Sequence, residues 1–132
     1  MWDMSDAQDR QTALVTGASS GIGLELARVM AENGFDLALA ARSADRLESL
    51  AAELRDAHGV TATVLPADLS RPEAPAELTA ALSDGGLYVD VLVNNAGFAT
   101  YGPFIESELS AELDMIQVNV SALTQLTRLL LP

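Results

Sequence analysis

At 132 residues and 13.9 kDa, the chain has room for one hydrophobic core. Its 49% hydrophobic content and positive mean hydropathy mark a globular chain despite a net charge of -12, and a pI near 4.1 excludes nucleic acid or an anionic membrane as partner. All seven basic side chains are Arg, so a Walker-type phosphate loop, a Schiff-base site and a Tyr–Lys proton-transfer pair all lack their lysine, and His58 alone with no Cys leaves no disulfide and too few ligands for a structural zinc site.

Residues 1–11 carry Asp3, Asp6 and Asp9 against Arg10 alone, with no apolar stretch, and read as a solvated lead-in rather than a targeting signal. Trp2 in that segment reads as incidental. No window approaches the ~18 apolar residues that span a bilayer, so a cytoplasmic location is expected. Thr12 to Thr16 (TALVT) predicts a buried strand closed by Gly17. Gly21 to Asn33 predicts a helix with Ile22, Leu26, Val29 and Met30 on its apolar face, stopped by Gly34. Leu37 to Ala41 (LALAA) predicts a second strand. Ser43 caps the next helix, whose Leu47, Leu50, Ala51 and Leu54 recur at helical spacing until Gly59.

Val60 to Leu65 (VTATVL) predicts a third strand. Ser70-Arg71-Pro72-Glu73 matches a capping box, which starts a helix running to about Ser83. Val89 to Val93 (VDVLV) predicts a fourth strand, and a loop from Asn94 to about Ile105 follows. A long helical pattern then carries Leu109, Leu113, Ile116, Val120, Leu123 and Leu130. Alternating strands and helices, with crossovers of roughly 20 to 25 residues, predict an α/β fold. Its parallel sheet is covered by helices on both faces, and ligands bind beyond the carboxyl ends of such strands.

The chemistry-bearing residues stand at those ends. Thr16-Gly17-Ala18-Ser19-Ser20-Gly21-Ile22-Gly23 follows the first strand and opens a helix. Glycines there let a pyrophosphate approach main-chain N–H groups, the helix N-terminus favours the anion, and Ser19 and Ser20 add hydroxyl donors. Arg42 ends the second strand, where an acid would bond a ribose 2′-hydroxyl and an Arg suits a 2′-phosphate. It argues for NADP(H) over NAD(H), and the helix dipole disfavours a merely solvated cation at that place. After the third strand, Asp68 can accept from an adenine amine while Leu69 lines the ring, although Asp68 serves equally as a turn residue. After the fourth, Asn94 and Asn95 can tie strand ends to a ribose, and small Ala96 and Gly97 let a cofactor lie against the backbone. Phe98, Tyr101, Pro103 and Phe104 either border an apolar substrate pocket or anchor the loop. A methyl-donor-binding enzyme uses a similar glycine loop, but it wants an acid where Arg42 stands.

TGASSGIG at 16–23, Asp68-Leu69, NNAG at 94–97 and Asn119-Val120 occur in one order and together resemble the short-chain dehydrogenase/reductase family, in its Thr-Gly-x-x-x-Gly-x-Gly branch. The resemblance implies a Rossmann fold over residues 12–132, a nicotinamide cofactor and hydride exchange between a small-molecule carbonyl and an alcohol. It implies that Gly17, Ser19, Ile22, Arg42, Asp68, Leu69, Asn95, Ala96 and Gly97 line the cofactor site, with Ser20, Gly21 and Gly23 completing the loop. It also gives Asn119 the catalytic task of anchoring a water in a proton relay. By its own chemistry, a mid-helix Asn beside Val120 reads as solvent-facing.

The family's Ser and Tyr-x-x-x-Lys lie beyond the segment that matches Asn119. The tyrosines here, Tyr88 and Tyr101, precede it, and no Lys exists to lower the pKa of either. The 132 residues are therefore expected to be the cofactor-binding part of a larger reductase, truncated after its fourth strand and long helix and inactive alone. A non-catalytic NADP(H)-binding sensor or regulatory module is the alternative. Truncation would leave VDVLV as an exposed edge strand. The 109–131 helix is expected to form a homo-oligomer contact.

Overall fold

A computed structural model describes residues 9–132; the expectations for the earlier lead-in, Trp2 included, lie outside the described residues. The final lead-in residues are docked rather than solvated. Arg10 Nη1 donates to the Gly59 carbonyl at 2.9 Å and lies 3.7 Å from the Asp36 carboxylate, while Asp36 N–H donates to the Gln11 carbonyl at 2.9 Å.

The strands are β1 (Thr12–Thr16), β2 (Asp36–Ala41), β3 (Ala62–Pro66) and β4 (Val91–Val93), all parallel, in the order β3-β2-β1-β4. Strand order reverses between β1 and β4, so β1 stands at the centre and β4 at an edge, with its residues half-buried. Successive side chains of a strand point to opposite faces. Ala13, Val15, Leu37 and Leu39 accordingly join one core cluster, while Leu14, Ala38 and Ala40 join the other. Helices α1 (Gly21–Glu32) and α2 (Ala44–His58) cover the first face. Helix α3 (Ala74–Asp84) and the long C-terminal helix cover the second. The result is the expected Rossmann-like sheet.

Helix α2 follows the predicted signals: Ser43 Oγ accepts from Arg46 N–H at 3.4 Å, and Gly59 ends the helix with φ of 67°. Two other expectations are corrected. The buried face of α1 is Gly23, Ala27 and Ala31, whereas Ile22, Leu26 and Val29 face outward and Ile22 is 73% exposed. Small residues at four-residue spacing bring the helix axis close to the sheet, which larger side chains on that face would prevent. The capping box at Ser70 does not form, and α3 begins one turn later with Pro75 in its first turn. Ser70 is already used: its N–H and hydroxyl both donate to Asp68 Oδ1, at 3.0 and 2.7 Å, in a local turn.

The long helix has three parts: α4 (Leu109–Ile116), a π-helical segment (Gln117–Ala122) and α5 (Leu123–Leu130). Ala122 and Leu126 are buried, with Val118 and Leu130 packed partly behind them. The stripe read from the sequence, Leu109, Leu113, Ile116, Val120 and Leu123, is exposed. One extra residue in a helical turn shifts the face that follows, and such insertions recur near functional sites. No helix of the described residues is long and apolar enough to cross a membrane.

Candidate functional site

The four strand ends converge on a cavity of about 630 Å³. From the β1 loop it is lined by Gly17, Ser19 and Ser20; from the end of β2 by Arg42, Ser43 and Arg46; and after β3 by Asp68, Leu69 and Ser70. After β4 come Asn95, Ala96, Gly97 and Phe98, and α4 with the π-helical segment adds Asp114 and Val118. The sequence thus brings Gly17, Ser19, Ser20, Arg42, Asp68, Leu69, Asn95, Ala96 and Gly97 to one wall system. Gly21, Ile22 and Gly23, also expected at the site, are not among its lining residues. Of the residues considered for a substrate pocket, Phe98 lines the cavity, while Tyr101 and Phe104 point into solvent and are not among its lining.

Thr16 is the hub that joins the first and fourth strand ends. It is buried within an apolar strand, so its hydroxyl must find partners. Thr16 Oγ1 accepts from the N–H groups of Asn95 at 3.1 Å and Ala96 at 2.9 Å, and donates to the Val93 carbonyl at 3.4 Å. Asn95 Nδ2 donates back to the carbonyls of Thr16 and Gly17, at 3.0 and 3.2 Å. In the sequence Thr16 looks like one more strand residue, and a polar side chain at the end of a buried run is the only sign of its role.

These bonds explain the glycines. Gly17 turns with φ of 66°, and a Cβ there would sit 2.8 Å from Asn95 Nδ2. A Cβ on Gly23 would overlap the Gly17 carbonyl and the Asn95 amide, so α1 can reach the loop only without one. The two amides of Asn94-Asn95 divide their work. Asn95 fastens the glycine loop, whereas Asn94 Nδ2 donates to Thr127 Oγ1 of α5 at 3.0 Å.

Asn119, in the π-helical segment, is committed to the same loop. Its Nδ2 donates to the Phe98 carbonyl at 2.7 Å and its Oδ1 accepts from the Phe98 N–H at 3.0 Å. A Cβ on Gly97 would lie 2.9 Å from that Oδ1, which accounts for the glycine. The side chain is therefore neither solvent-facing nor directed at the cavity; it clamps the loop that borders it.

Asp68 is held below the usual carboxylate range, chiefly by the Ser70 hydroxyl bond and less by the backbone bond and the charges of Arg42 and Arg71, against partial desolvation. Its charge is thus fixed at neutral pH beside Arg42. Arg46, like Asp114 and Val118, lines the cavity without having been expected there. A cation in the first turn of a helix opposes the dipole, and that conflict was the legible sign.

Comparison with known proteins agrees with the fold. Dehydrogenase/reductase SDR family member 11 of Gallus gallus is 40% identical over 120 residues, covering 89% of this chain and 47% of that protein. A putative ketoacyl reductase of Streptomyces coelicolor is 40% identical over 122 residues, covering 92% and 46%. Among solved structures, a short-chain dehydrogenase from Sphingobium yanoikuyae in complex with NADPH is 42% identical with a TM-score of 0.84, covering 91% of this chain and 46% of that one. The chain spans about half the length of the relatives it matches. The profile of the short chain dehydrogenase family matches residues 11–132, and the chain belongs to that family.

Proposed function

We propose that residues 12–132 form the NADP(H)-binding part of an oxidoreductase that interconverts a small-molecule carbonyl and an alcohol. The observation that carries this reading is the convergence of all four strand ends on one cavity with Arg42 at the end of β2. The lining fits a dinucleotide. Gly17 opens the approach to main-chain N–H groups, Ser19 and Ser20 offer hydroxyls, Leu69 offers an apolar wall, and Asp68 offers a fixed acceptor. When bound, a nicotinamide cofactor supplies or accepts the hydride. The residues of this chain would bind and orient it: Arg42 would hold the 2′-phosphate, Asp68 and Leu69 the adenine, and Asn95, Ala96 and Gly97 the ribose next to the reacting ring. Asn119 clamps Phe98 beside this path and would hold the water of the expected relay from the same place.

Tyr88 and Tyr101 lie outside the cavity lining and there is no Lys, so the 132 residues are expected to bind cofactor without turnover. The same observation supports the second reading, a non-catalytic NADP(H)-binding module. The 109–131 helix, with its exposed leucines, is proposed as a homo-oligomer contact, and the protein as cytoplasmic.

The test is titration of the chain with NADP+ and NAD+ by calorimetry, with Arg42→Ala alongside. NADP+ is expected to bind more tightly. Arg42→Ala should cost about 10-fold in NADP+ affinity, the worth of one charge-assisted bond, and leave NAD+ nearly unchanged. Equal affinities in the unaltered chain would defeat the assignment. Consumption of NADPH with a panel of ketones and aldehydes tests the absence of turnover, and sustained activity would refute it.

A further inference from the structure

Acids outnumber basic residues 19 to seven in this chain, so where each Arg finds or lacks a carboxylate partner is informative. Arg10, Arg28 and Arg71 each lie within 4.0 Å of at least one carboxylate. Arg55 donates to the Ala62 carbonyl. Among the described residues, the guanidinium groups of Arg42, Arg46 and Arg128 make neither an ion pair nor a hydrogen bond; Arg128 stands exposed on α5 away from the cavity, whereas Arg42 and Arg46 both line it, four residues apart across Ser43. Arg46 also stands in the first turn of α2, where the helix dipole repels a cation. Its main-chain N–H is satisfied by Ser43 Oγ, and the residue also borders a smaller neighbouring cavity with Asp45 and Glu53.

Two like charges held four residues apart against a dipole are destabilising until an anion arrives. We propose that Arg46 is a second specificity-determining residue: with Arg42 it forms a two-armed clamp on the 2′-phosphate of the cofactor. This deepens the NADP(H) reading and rests on it. A planar guanidinium fork suits phosphate oxygens, and two forks on one dianion give more discrimination than one. Ser43 and Ser19, which line the cavity near these arms, offer hydroxyl donors to the same oxygens. The carboxylates in the lining do not cancel the clamp. Asp68 is engaged by Ser70, and Asp114 enters from α4, while the two arms belong to the β2–α2 junction. Arg42 alone would read a 2′-phosphate; the pair makes the absence of that phosphate costlier, because two cations then share one cavity wall without it.

The experiment measures binding by calorimetry for NADP+, NAD+, 2′,5′-ADP and 5′-AMP. The chains compared are the unaltered one and the Arg42→Ala, Arg46→Ala, Arg46→Glu and Arg128→Ala variants. Arg128 is exposed on α5 outside the cavity and controls for the change in net charge. Arg46→Ala is expected to weaken NADP+ and 2′,5′-ADP about 10-fold and NAD+ and 5′-AMP less than about 2-fold, with Arg46→Glu more severe and Arg128→Ala without effect. The slope of affinity against salt for 2′,5′-ADP should fall in Arg46→Ala as well, since one cation leaves the contact. Circular dichroism melts matching the unaltered chain show that the exposed substitution leaves the fold intact. If Arg42→Ala abolishes the preference while Arg46→Ala keeps the 2′,5′-ADP to 5′-AMP ratio, the clamp is wrong and the NADP(H) reading stands. If the unaltered chain shows no preference for a 2′-phosphate, both fall together.

Discussion

Thr16 and Asn119 do at the scale of single residues what the sheet alone cannot: they fasten the fourth strand end to the first and to the long helix. Thr16→Val keeps the shape but leaves the half-buried Ala96 N–H without its acceptor, while Asn95 N–H keeps the Val93 carbonyl at 2.9 Å. It is expected to cost about 1–2 kcal/mol, from one lost acceptance, in urea unfolding with an unchanged m-value. Thr16→Ser, which keeps the oxygen, should cost far less. Asn119→Asp tests the clamp differently, since a carboxylate accepts from Phe98 N–H but cannot donate to its carbonyl. A loss of about 1–2 kcal/mol above pH 6 and partial recovery on acidification would mark that single missing donor. Asp68 supplies a pH effect of known sign. Its carboxyl is held below the usual range by Ser70, so the folded state binds fewer protons than the unfolded one. The resulting stability is present above about pH 4, the value of a free Asp, and is lost as pH falls through the lower folded value. Asp68→Asn should flatten the acid limb of a melting-temperature profile; a parallel profile would show that Ser70 does not act through the charge.

Among whole elements, α1 is the informative case, because its face was misread from hydrophobic rank. Ile22, Leu26 and Val29 recur at helical spacing, and nothing in that pattern distinguishes a face that packs from one that does not. Contact is decided instead by how near the backbone must come, and Gly23 must pass the Gly17 carbonyl and the Asn95 amide. Gly23→Ala therefore sets about 1 kcal/mol of better helix propensity against a backbone clash. The clash should win by about 1–3 kcal/mol in denaturant unfolding, with nucleotide affinity falling as the loop shifts, whereas Leu26→Gln should stay within about 0.5 kcal/mol. The strands were legible because runs such as TALVT and LALAA are too apolar and too short for anything but buried parallel strands. The strand-end motifs were legible for the same reason: the strands fix where the loops must be. The start of α3 was not, since Ser70 had two uses open to it and only the position of Asp68 decides between a cap and a turn. The π-helical insertion was not legible either, because a helical pattern with one extra residue still looks helical while its outward face has moved.

For the molecule as a whole, a net charge of -12 and an exposed aliphatic stripe pull in opposite directions. Leu109, Leu113, Ile116, Val120 and Leu123 lie on one helical run with no cover from the described residues, beside neighbouring carboxylates Glu112 and Asp114. Two copies meeting through this stripe would bury apolar area, a gain that salt does not screen. Their net charges would repel, a cost that salt does screen: the Debye length falls from about 30 Å at 0.01 M to about 3 Å at 1 M. Self-association through the 109–131 helix is therefore expected to strengthen with ionic strength, the reverse of a contact built on ion pairs. Sedimentation velocity at low and high NaCl should show the larger species growing with salt, and Leu113→Glu combined with Val120→Asp should hold the chain monomeric at both. Binding of 2′,5′-ADP by that double variant should be unchanged, since neither residue lines the cavity. A monomer at every salt concentration, or a larger species that persists in the double variant, would remove the helix from the interface.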